Sequence, residues 1–240
     1  MRLAVLSDIH ANLEALEAVL IAVDQEGADQ LLVLGDLVGY GPDPVACIHR
    51  LREAGAVCVL GNHDQALVDG QRVHELNSMA RDSLLESRAL VAEEELGYIR
   101  GFAYRHVEGE GVFAHANPVC PEDWQTLYLL EHVRWCLERL EWRIAFVGHT
   151  HHAALFCQME SGPIPLTSSE LAIGRHRYLV NTGSVGQPRD GDPRASFALW
   201  DVDAEHVELR RTEYPLRRTQ EKIYDLGWPA YAAERLARGE

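Results

Sequence analysis

Five short polar motifs follow apolar, strand-like runs in this chain, and together they contain seven side chains able to bind a metal ion. The motifs are SDIH, GDLVGYGPDP, GNHD, FAHANP and GHTH, and the candidate ligands in them are Asp8, His10, Asp36, Asn62, His115, His149 and His151. In open α/β sheets, ligands bind beyond the carboxyl ends of the strands. The pattern therefore favours a fold in which five strand ends meet at one site.

The residue types of these ligands indicate the kind of metal. Aspartate, histidine and asparagine without cysteine thiolate suit a pair of hard-to-borderline divalent ions, and two ions held close together are standard for displacement at phosphorus. Asp36 has two carboxylate oxygens and can bridge both ions. Manganese is the favoured metal, while iron, zinc, nickel and cobalt also tolerate such ligands. The sequence predicts a dinuclear site at which a bridging hydroxide attacks phosphorus.

The GNHD motif also contains candidate catalytic residues. His63 can donate a proton to the leaving oxygen, and Asp64 can orient the His63 ring, because carboxylates commonly orient histidines. The tetrapeptide is more specific than D-x-H or G-D, and a polar turn is the alternative interpretation of it taken alone. We expect His63 and Asp64 to be catalytic without binding metal.

Composition narrows the range of partners. The 240 residues include 22 basic and 37 acidic side chains, which gives a formal net charge of −15. A field of that sign disfavours long nucleic acids and anionic membranes but allows small phosphates at a metal site. Five scattered cysteines favour reduced thiols, and the N-terminus has no apolar segment of signal length. We expect a cytoplasmic protein with one domain over residues 1–240, and a homo-oligomer is left open.

The N-terminal pattern alternates strand and helix. Apolar runs at 3–6, 31–34 and 56–60 predict strands, and Asn12 and Asp43-Pro44 are typical of helix N-termini. This β-α-β-α-β order predicts parallel strands with right-handed crossovers.

The remaining pattern is mixed. A surface helix or pair of helices is predicted over 77–95, a helix over 122–140, and a C-terminal helix over 217–237 interrupted near Gly227. Closely spaced strand-like runs suggest antiparallel pairs. Strands are predicted at 111–115, 144–147, 154–159, 178–181, 196–202 and 207–211.

The motif order D-x-H, G-D, G-N-H-D, H, G-H-x-H resembles the calcineurin-like metallophosphoesterase superfamily over nearly the whole chain. The resemblance implies an α/β fold, a four-layer α-β-β-α sandwich of two mixed β-sheets flanked by helices. It also implies that positions matching Asp8, His10, Asp36 and His151 hold one ion. The second ion would be held by Asp36, Asn62, His115 and His149, with Asp36 bridging.

Two segments are similar to the compact bacterial phosphodiesterase branch that includes diadenosine tetraphosphate hydrolases. These are GDLVGYGPDP and NTGSVGQPRDGDPR, and the ending GWPAYAAERLARG is similar to that branch too. Arginine forks match phosphate oxygens, so Arg189 and Arg194 are candidate substrate ligands, although surface charge would also explain them. Tyr40 is a third candidate, which either stacks on a base or packs on its loop.

The favoured function is hydrolysis of phosphodiester or phosphoanhydride bonds in small, nucleotide-type substrates. A non-catalytic interaction scaffold of the same fold is the alternative, and retention of His63 and of all seven ligands favours the enzyme. A nuclease on polymeric DNA is disfavoured because the chain is acidic and has no basic stripe. A protein phosphatase is disfavoured because the aspartate-arginine-glycine pattern after the bridging aspartate is missing.

Overall fold

The computed structural model describes residues 1–70 and 72–240 and contains two six-stranded β-sheets. In the first sheet β1, β2 and β3 are parallel, as the β-α-β-α-β pattern predicts, and β11 runs antiparallel to β1. In order across the sheet the strands are β3 (Val57–Cys58), β2 (Gln30–Val33), β1 (Arg2–Leu6), β11 (Ala195–Asp201), β12 (His206–Thr212) and β9 (Glu170–Ala172).

The second sheet is also mixed. Strands β5, β6 and β10 are parallel, and the other three pair antiparallel with their neighbours. In order the strands are β4 (Arg105–Glu108), β5 (Gly111–Ala114), β6 (Ile144–Val147), β10 (Tyr178–Thr182), β7 (Ala153–Met159) and β8 (Gly162–Leu166). Strand β8 carries two prolines, which are tolerated because it lies at the edge of the sheet.

Helices cover the outer faces of both sheets. Residues of α1, α2, α4 and α5 share a core with the first sheet, and α6 packs on the second. The helices are α1 (Leu13–Gln25), α2 (Pro44–Glu53), α3 (Asn62–Asp69), α4 (Ser78–Leu90), α5 (Glu93–Arg100), α6 (Leu130–Arg139), α7 (Leu216–Asp225) and α8 (Ala230–Arg238), with short 3₁₀ turns at Val73–Glu75 and Pro121–Asp123. The predicted four-layer arrangement is confirmed.

Strand β1 shows how the layers are built. Successive side chains of a strand point to opposite faces, so Leu3 and Val5 enter the core between the sheets while Ala4 and Leu6 face the helices. Within this inner core, the ring of Trp200 in the first sheet lies 5.3 Å from the ring of Phe146 in the second sheet. Both sheets therefore share one apolar interior.

Helices α1 and α2 begin where the sequence predicted helix N-termini. The Asn12 side chain accepts a hydrogen bond from the backbone N–H of Ala15 at 3.1 Å, and Pro44 is the first residue of α2. Asp43 makes no side-chain cap and instead accepts from Lys222 of α7 at 2.6 Å. The residue thus joins two helices rather than capping one.

The helix predicted over 122–140 is wrong in its first half. Helix α6 begins only at Leu130, and Trp124 has a left-handed backbone conformation with φ of 53°. The Trp124 indole N–H donates to Gln65 Oε1 at 2.9 Å, and its ring lies 5.8 Å from the His115 ring. These tertiary contacts override the helical spacing of apolar residues. The strand expected over 56–60 is also shorter, and β4, β8 and β9 were not predicted.

The helices in the described part of the chain are all too short or too polar to cross a membrane. The five cysteines are free.

Candidate metal centre

Loops at the carboxyl ends of five strands bring all seven candidate ligands together. Asp8 and His10 follow β1, Asp36 follows β2, and Asn62 begins α3 after β3. The other three ligands follow β5 and β6 of the second sheet, so both sheets contribute. This is the edge at which α/β sheets bind ligands.

Backbone strain is concentrated in these loops. Non-glycine residues rarely adopt positive φ, and such conformations cost of order 1–3 kcal/mol each. Among the described residues nine do so, and seven of them lie in the ligand loops. The seven are Asp8, His10, Ala11, Asp36, Tyr40, His149 and His151. The fold holds these residues in place at a cost in stability, as functional sites commonly do.

The first group of ligands consists of Asp8, His10 and His151. Their ligating atoms lie within 4.8 Å of one another. His151 Nε2 is 3.1 Å from both Asp8 Oδ1 and His10 Nε2. Three potential ligand atoms therefore converge on one point.

The second group consists of Asp36, Asn62, His115 and His149. His115 Nε2 lies 3.0 Å from Asn62 Oδ1, 3.0 Å from His149 Nδ1 and 3.4 Å from Asp36 Oδ2. Asp36 Oδ2 is also 3.7 Å from His10 Nε2 of the first group. Asp36 thus occupies the position between the two groups.

Each aspartate has one oxygen held by the protein and one directed into the centre. Asp8 Oδ2 accepts from Ser7 Oγ at 2.6 Å and from the backbone N–H of His149 at 2.9 Å, while Oδ1 is buried without a hydrogen-bond partner among the described residues. Asp36 Oδ1 accepts from the backbone N–H of His63 at 2.8 Å, which leaves Oδ2 facing the histidines. A buried carboxylate oxygen without a donor is costly unless a cation binds it.

Backbone carbonyls fix the orientation of three histidine rings. Nδ1 of His10 bonds the carbonyl of Val38 at 3.0 Å, and Nδ1 of His115 bonds that of Leu34 at 2.9 Å. His151 is held in the same way by Gln187, at 2.6 Å. A carbonyl can only accept, so Nδ1 carries the proton and the Nε2 lone pair of the neutral ring points into the centre. These residues fit a pair of divalent ions.

Two of the candidate histidine ligands have the neutral form that metal binding requires. Burial lowers the pKa of both His149 and His151 to about 4, so both rings are neutral at pH 7, as metal ligands must be. Burial also acts on His115, but the carboxylates of Asp36 and Asp8 outweigh it and raise the pKa of His115 to about 9. A cation would have to displace this proton.

Among the described residues Nδ1 of His63 has no hydrogen-bond partner, so Asp64 does not orient this nitrogen of the His63 ring, contrary to the sequence prediction. The Asp64 carboxylate accepts from the backbone N–H groups of Asp36 at 2.7 Å, Leu37 at 2.8 Å and Gly61 at 3.1 Å. Burial, with Asp36 nearby, raises the pKa of Asp64 to about 7. His63 and Asp64 are adjacent in α3, and their side chains point in different directions. Asp64 therefore hydrogen-bonds the loop that carries Asp36.

His63 lies beside the first group of ligands. Its ring is 4.9 Å from that of His10 and 5.0 Å from that of Tyr40, and Nδ1 is buried with no hydrogen-bond partner among the described residues. Burial lowers the pKa of His63 to about 3. The ring is therefore neutral at pH 7.

The NTGSVGQPRD segment mainly supports the ligand loops. Asn181 Nδ2 donates to the carbonyl of Gly148 at 2.9 Å, and Ser184 Oγ donates to the carbonyl of Asp8 at 2.8 Å. Both side chains are buried. Only Arg189 and Arg194 of the longer NTGSVGQPRDGDPR segment were predicted from the sequence as substrate candidates, and the first part of the segment positions the loops of the metal-ligand candidates.

The three candidate substrate residues have different surroundings. Tyr40 lies at the centre, with its ring 4.8 Å from that of His10, and the Arg189 guanidinium lies 5.3 Å from the Tyr40 ring. Arg194 is exposed and donates to both carboxylate oxygens of Asp192. The structure therefore brings Arg189 and Tyr40 to the centre and pairs Arg194 with a local carboxylate.

Two residues near the centre were not predicted from the sequence. Arg235 of α8 lies 6.0 Å from the Tyr40 ring, and no local pattern separates it from other surface arginines. Trp124, with Asn62 and His149, lines a cavity of about 210 Å³. That cavity opens beside the second ligand group and is large enough for part of a small substrate.

Comparison with known proteins identifies the family. The family model for the calcineurin-like phosphoesterase superfamily domain matches residues 1–205. The chain belongs to this superfamily. A solved metallophosphoesterase from Sphaerobacter thermophilus is similar in structure, with a TM-score of 0.88 and 34% identity over 100% of both chains.

Two curated relatives have named activities. Phosphodiesterase YfcE of Escherichia coli is 35% identical over 85% of this chain and 89% of its own length. The symmetrical bis(5'-nucleosyl)-tetraphosphatase of Psychromonas ingrahamii is 33% identical over 75% of this chain and 68% of its own length. Both are hydrolases, and membership of the superfamily makes this chain a metal-dependent phosphoesterase, as the sequence predicts.

Proposed function

We propose that this protein is a dinuclear phosphoesterase that hydrolyses phosphodiester or phosphoanhydride bonds in small, nucleotide-type substrates. The observation that carries the proposal is the position of Asp36 between two ligand groups, with one oxygen held by backbone and the other facing His10 and His115. Asp8, His10 and His151 would hold one ion with Asp36. Asn62, His115 and His149 would hold the other, again with Asp36.

Divalent ions at these positions would neutralise phosphoryl charge and supply a nucleophile from water at neutral pH. Manganese is the metal we propose first. The chain's own residues orient the reactants. The carbonyl-bound histidines and backbone-held aspartates keep their free lone pairs directed inward, so little rearrangement is needed at the moment of reaction.

His63 is the proposed general acid. A phosphoryl group bound beside its ring adds negative charge, which raises the pKa of the imidazole and favours the protonated form. The ring can then transfer its proton to the leaving oxygen, a contribution of typically ~10²–10⁴-fold. Asp64 would act indirectly by holding the Asp36 loop.

Small phosphorylated compounds are the proposed substrates. The named activities of the relatives support this class, and the net charge of −15 works against long nucleic acids and anionic surfaces. A non-catalytic scaffold is the second candidate, but such a role needs neither His63 nor a strained ligand cluster. We further propose one domain over residues 1–240. The cytoplasmic location and the oligomeric state stay predictions.

A hydrolysis screen tests the proposal. The chelator-treated protein is reloaded with manganese and assayed on p-nitrophenyl phosphate, bis(p-nitrophenyl) phosphate, diadenosine tetraphosphate, a phosphoserine peptide and plasmid DNA. We expect metal-dependent cleavage of the diester or the tetraphosphate. Asp36→Asn should lose most turnover, whereas Asp82→Asn, an exposed carboxylate on α4, should not. Preference for the peptide or DNA, or turnover without metal, would contradict the proposal.

A further inference from the structure

Helices α7 and α8 pack beside the loop that carries two ligands of the first group. The two helices form a small apolar cluster of their own. Ile223 of α7 and Leu236 of α8 also lie beside the candidate ligand His10. All three residues line one cavity of about 10 Å³, which is far too small for a substrate. The two helices thus form a packed wall next to His10.

One buried hydroxyl group connects α7 to the start of α1. Thr219 is fully buried, and its Oγ1 lies 3.0 Å from Asn12 Oδ1 and 3.2 Å from Glu14 Oε2. Amide and carboxylate oxygens accept hydrogen bonds, so the threonine hydroxyl is the donor. Removing the donor of a buried acceptor typically costs about 1–3 kcal/mol. The hydroxyl therefore fixes the position of Asn12 relative to α7.

Asn12 in turn supports the backbone that carries Asp8 and His10. Its Nδ2 donates to the carbonyl of Gly186 at 2.9 Å, and its backbone N–H donates to the carbonyl of Ile9 at 3.1 Å. The backbone N–H of Gly186 donates to the carbonyl of Asp8, also at 2.9 Å. Asp8 and His10 have φ of 54° and 46°, and such conformations persist only where the surroundings hold them. The α7 hydroxyl thus acts on both ligands through Asn12.

The second connection from α7 is ionic. Lys222 Nζ lies 2.7 Å from Glu14 Oε1 of α1 and 2.6 Å from Asp43 Oδ2 at the start of α2. The backbone N–H of Asp43 donates to the carbonyl of Ala11 at 2.9 Å, directly after His10. Lys222 therefore holds the segment that follows His10 from two sides.

We propose that Thr219 and Lys222 are positioning residues, through which α7 sets how tightly the first group of ligands holds its ion. This inference rests on the proposed function, because it requires both ligand groups to bind ions. Within the described residues, the side-chain hydrogen bonds and ion pairs of Thr219 and Lys222 go to Asn12, Glu14 and Asp43. None goes to the second group, whose ion should therefore be independent of them. Both residues lie beyond the residues 1–205 that the family model matches.

The test removes each connection with little change in shape. Thr219→Val loses only the donor, whereas Thr219→Ser keeps it and should retain the wild-type affinity for metal. Partners that orient metal ligands typically change metal affinity by 10–100-fold when mutated. Because Thr219 acts through Asn12, we expect Thr219→Val to weaken manganese binding at the first group by about tenfold, the lower end of that range. Lys222→Met keeps the aliphatic stem without the charge and should weaken the same ion.

The affinities of the two groups are measured separately in two single-site backgrounds. His149→Ala disables the second group, and His10→Ala disables the first. Competition with a fluorescent chelator then gives the manganese affinity of the group that remains. Thr219→Val should weaken binding about tenfold in the His149→Ala background and leave it unchanged in the His10→Ala background. A general loss of stability would instead lower both affinities.

Thr182→Val is the matched control. Thr182 is as fully buried as Thr219, but its hydroxyl has no hydrogen-bond partner among the described residues. The same change of side chain should therefore leave both affinities unchanged. Far-UV circular dichroism and urea unfolding of the metal-free variants verify that each one is folded.

Turnover gives a second readout in the protein with both groups intact. Thr219→Val should need about tenfold more manganese for half-maximal activity and reach the wild-type kcat at saturating manganese. Equal weakening in both backgrounds, no weakening in either, or an equal effect of Thr182→Val would overturn the inference and leave the phosphoesterase proposal intact. If manganese binds as expected but no substrate is cleaved, only the phosphoesterase proposal fails. A wild type that binds no manganese would overturn both.

Discussion

The His63 ring lies beside His10 of the candidate centre, and its Nδ1 has no carboxylate partner among the described residues, because Asp64 hydrogen-bonds backbone N–H groups. We expect His63→Asn to retain both ions and to lose roughly 10²–10⁴-fold in kcat for a substrate with a poor leaving group such as an alkyl ester. Loss for a nitrophenyl ester should be smaller, since nitrophenolate needs little protonation. His152→Asn, the next histidine after the ligand motif, is the control. Equal losses for both leaving groups would show that His63 is not the acid.

We expect the protonation of His115 to make metal uptake depend on pH. The neighbouring carboxylates raise its pKa to about 9, so the metal-free ring carries a proton at pH 7 that a metal ligand cannot keep. Manganese binding at pH 7.5 should therefore release a proton from His115, and this release should fall as the pH rises through about 9. Calorimetry in two buffers with different ionisation enthalpies measures it. If the observed heat is independent of the buffer, metal binding releases no proton and the prediction is wrong.

At the scale of the element, close approach between loops depends on glycine. A Cβ at Gly148 would lie 1.9 Å from Ser7 Oγ and 2.4 Å from Asp8 Oδ2. Gly148→Ala must displace the side chain that holds Asp8, and we expect metal affinity to fall by roughly 10–100-fold. A competition titration with a fluorescent chelator measures the affinity.

Gly97 provides the matched control within a helix. It is exposed in α5, and nothing lies within 4 Å of a Cβ placed there. Gly97→Ala should leave metal affinity unchanged and raise the free energy of unfolding by about 0.5–1 kcal/mol, because glycine loses more backbone freedom on folding. If both glycine variants bind metal normally, close packing at Gly148 does not control the centre.

At the scale of the whole molecule, the two sheets share one interior. Trp200 of the first sheet packs against Phe146 and Phe113 of the second, at 5.3 Å and 6.1 Å between ring centroids. Strand β1 also pairs with β11, from a distant part of the chain. We therefore expect urea unfolding of the metal-free protein to follow one transition, coincident by tryptophan fluorescence and far-UV circular dichroism. Two separated transitions would argue against a single domain over 1–240.

The sequence by itself determined the α/β class, the parallel order of β1 to β3 and the Asn12 cap. It also placed seven potential ligands after strand ends, and the structure brings all seven together. These features were predictable because strand alternation, helix caps and ligand chemistry are local properties of a few neighbouring residues. Whether the seven bind metal stays a prediction.

Tertiary structure decided the features that depend on distant partners. Trp124 lies outside helix α6 because it contacts Gln65 and His115. Asp64 hydrogen-bonds the Asp36 loop and not the His63 ring. Arg235 lies over the Tyr40 ring because α8 packs near the loop that carries Tyr40. Arg194 does not, because it is paired with Asp192. The spacing of residues along a chain does not predict such contacts, since they form only when segments far apart in sequence are packed against one another.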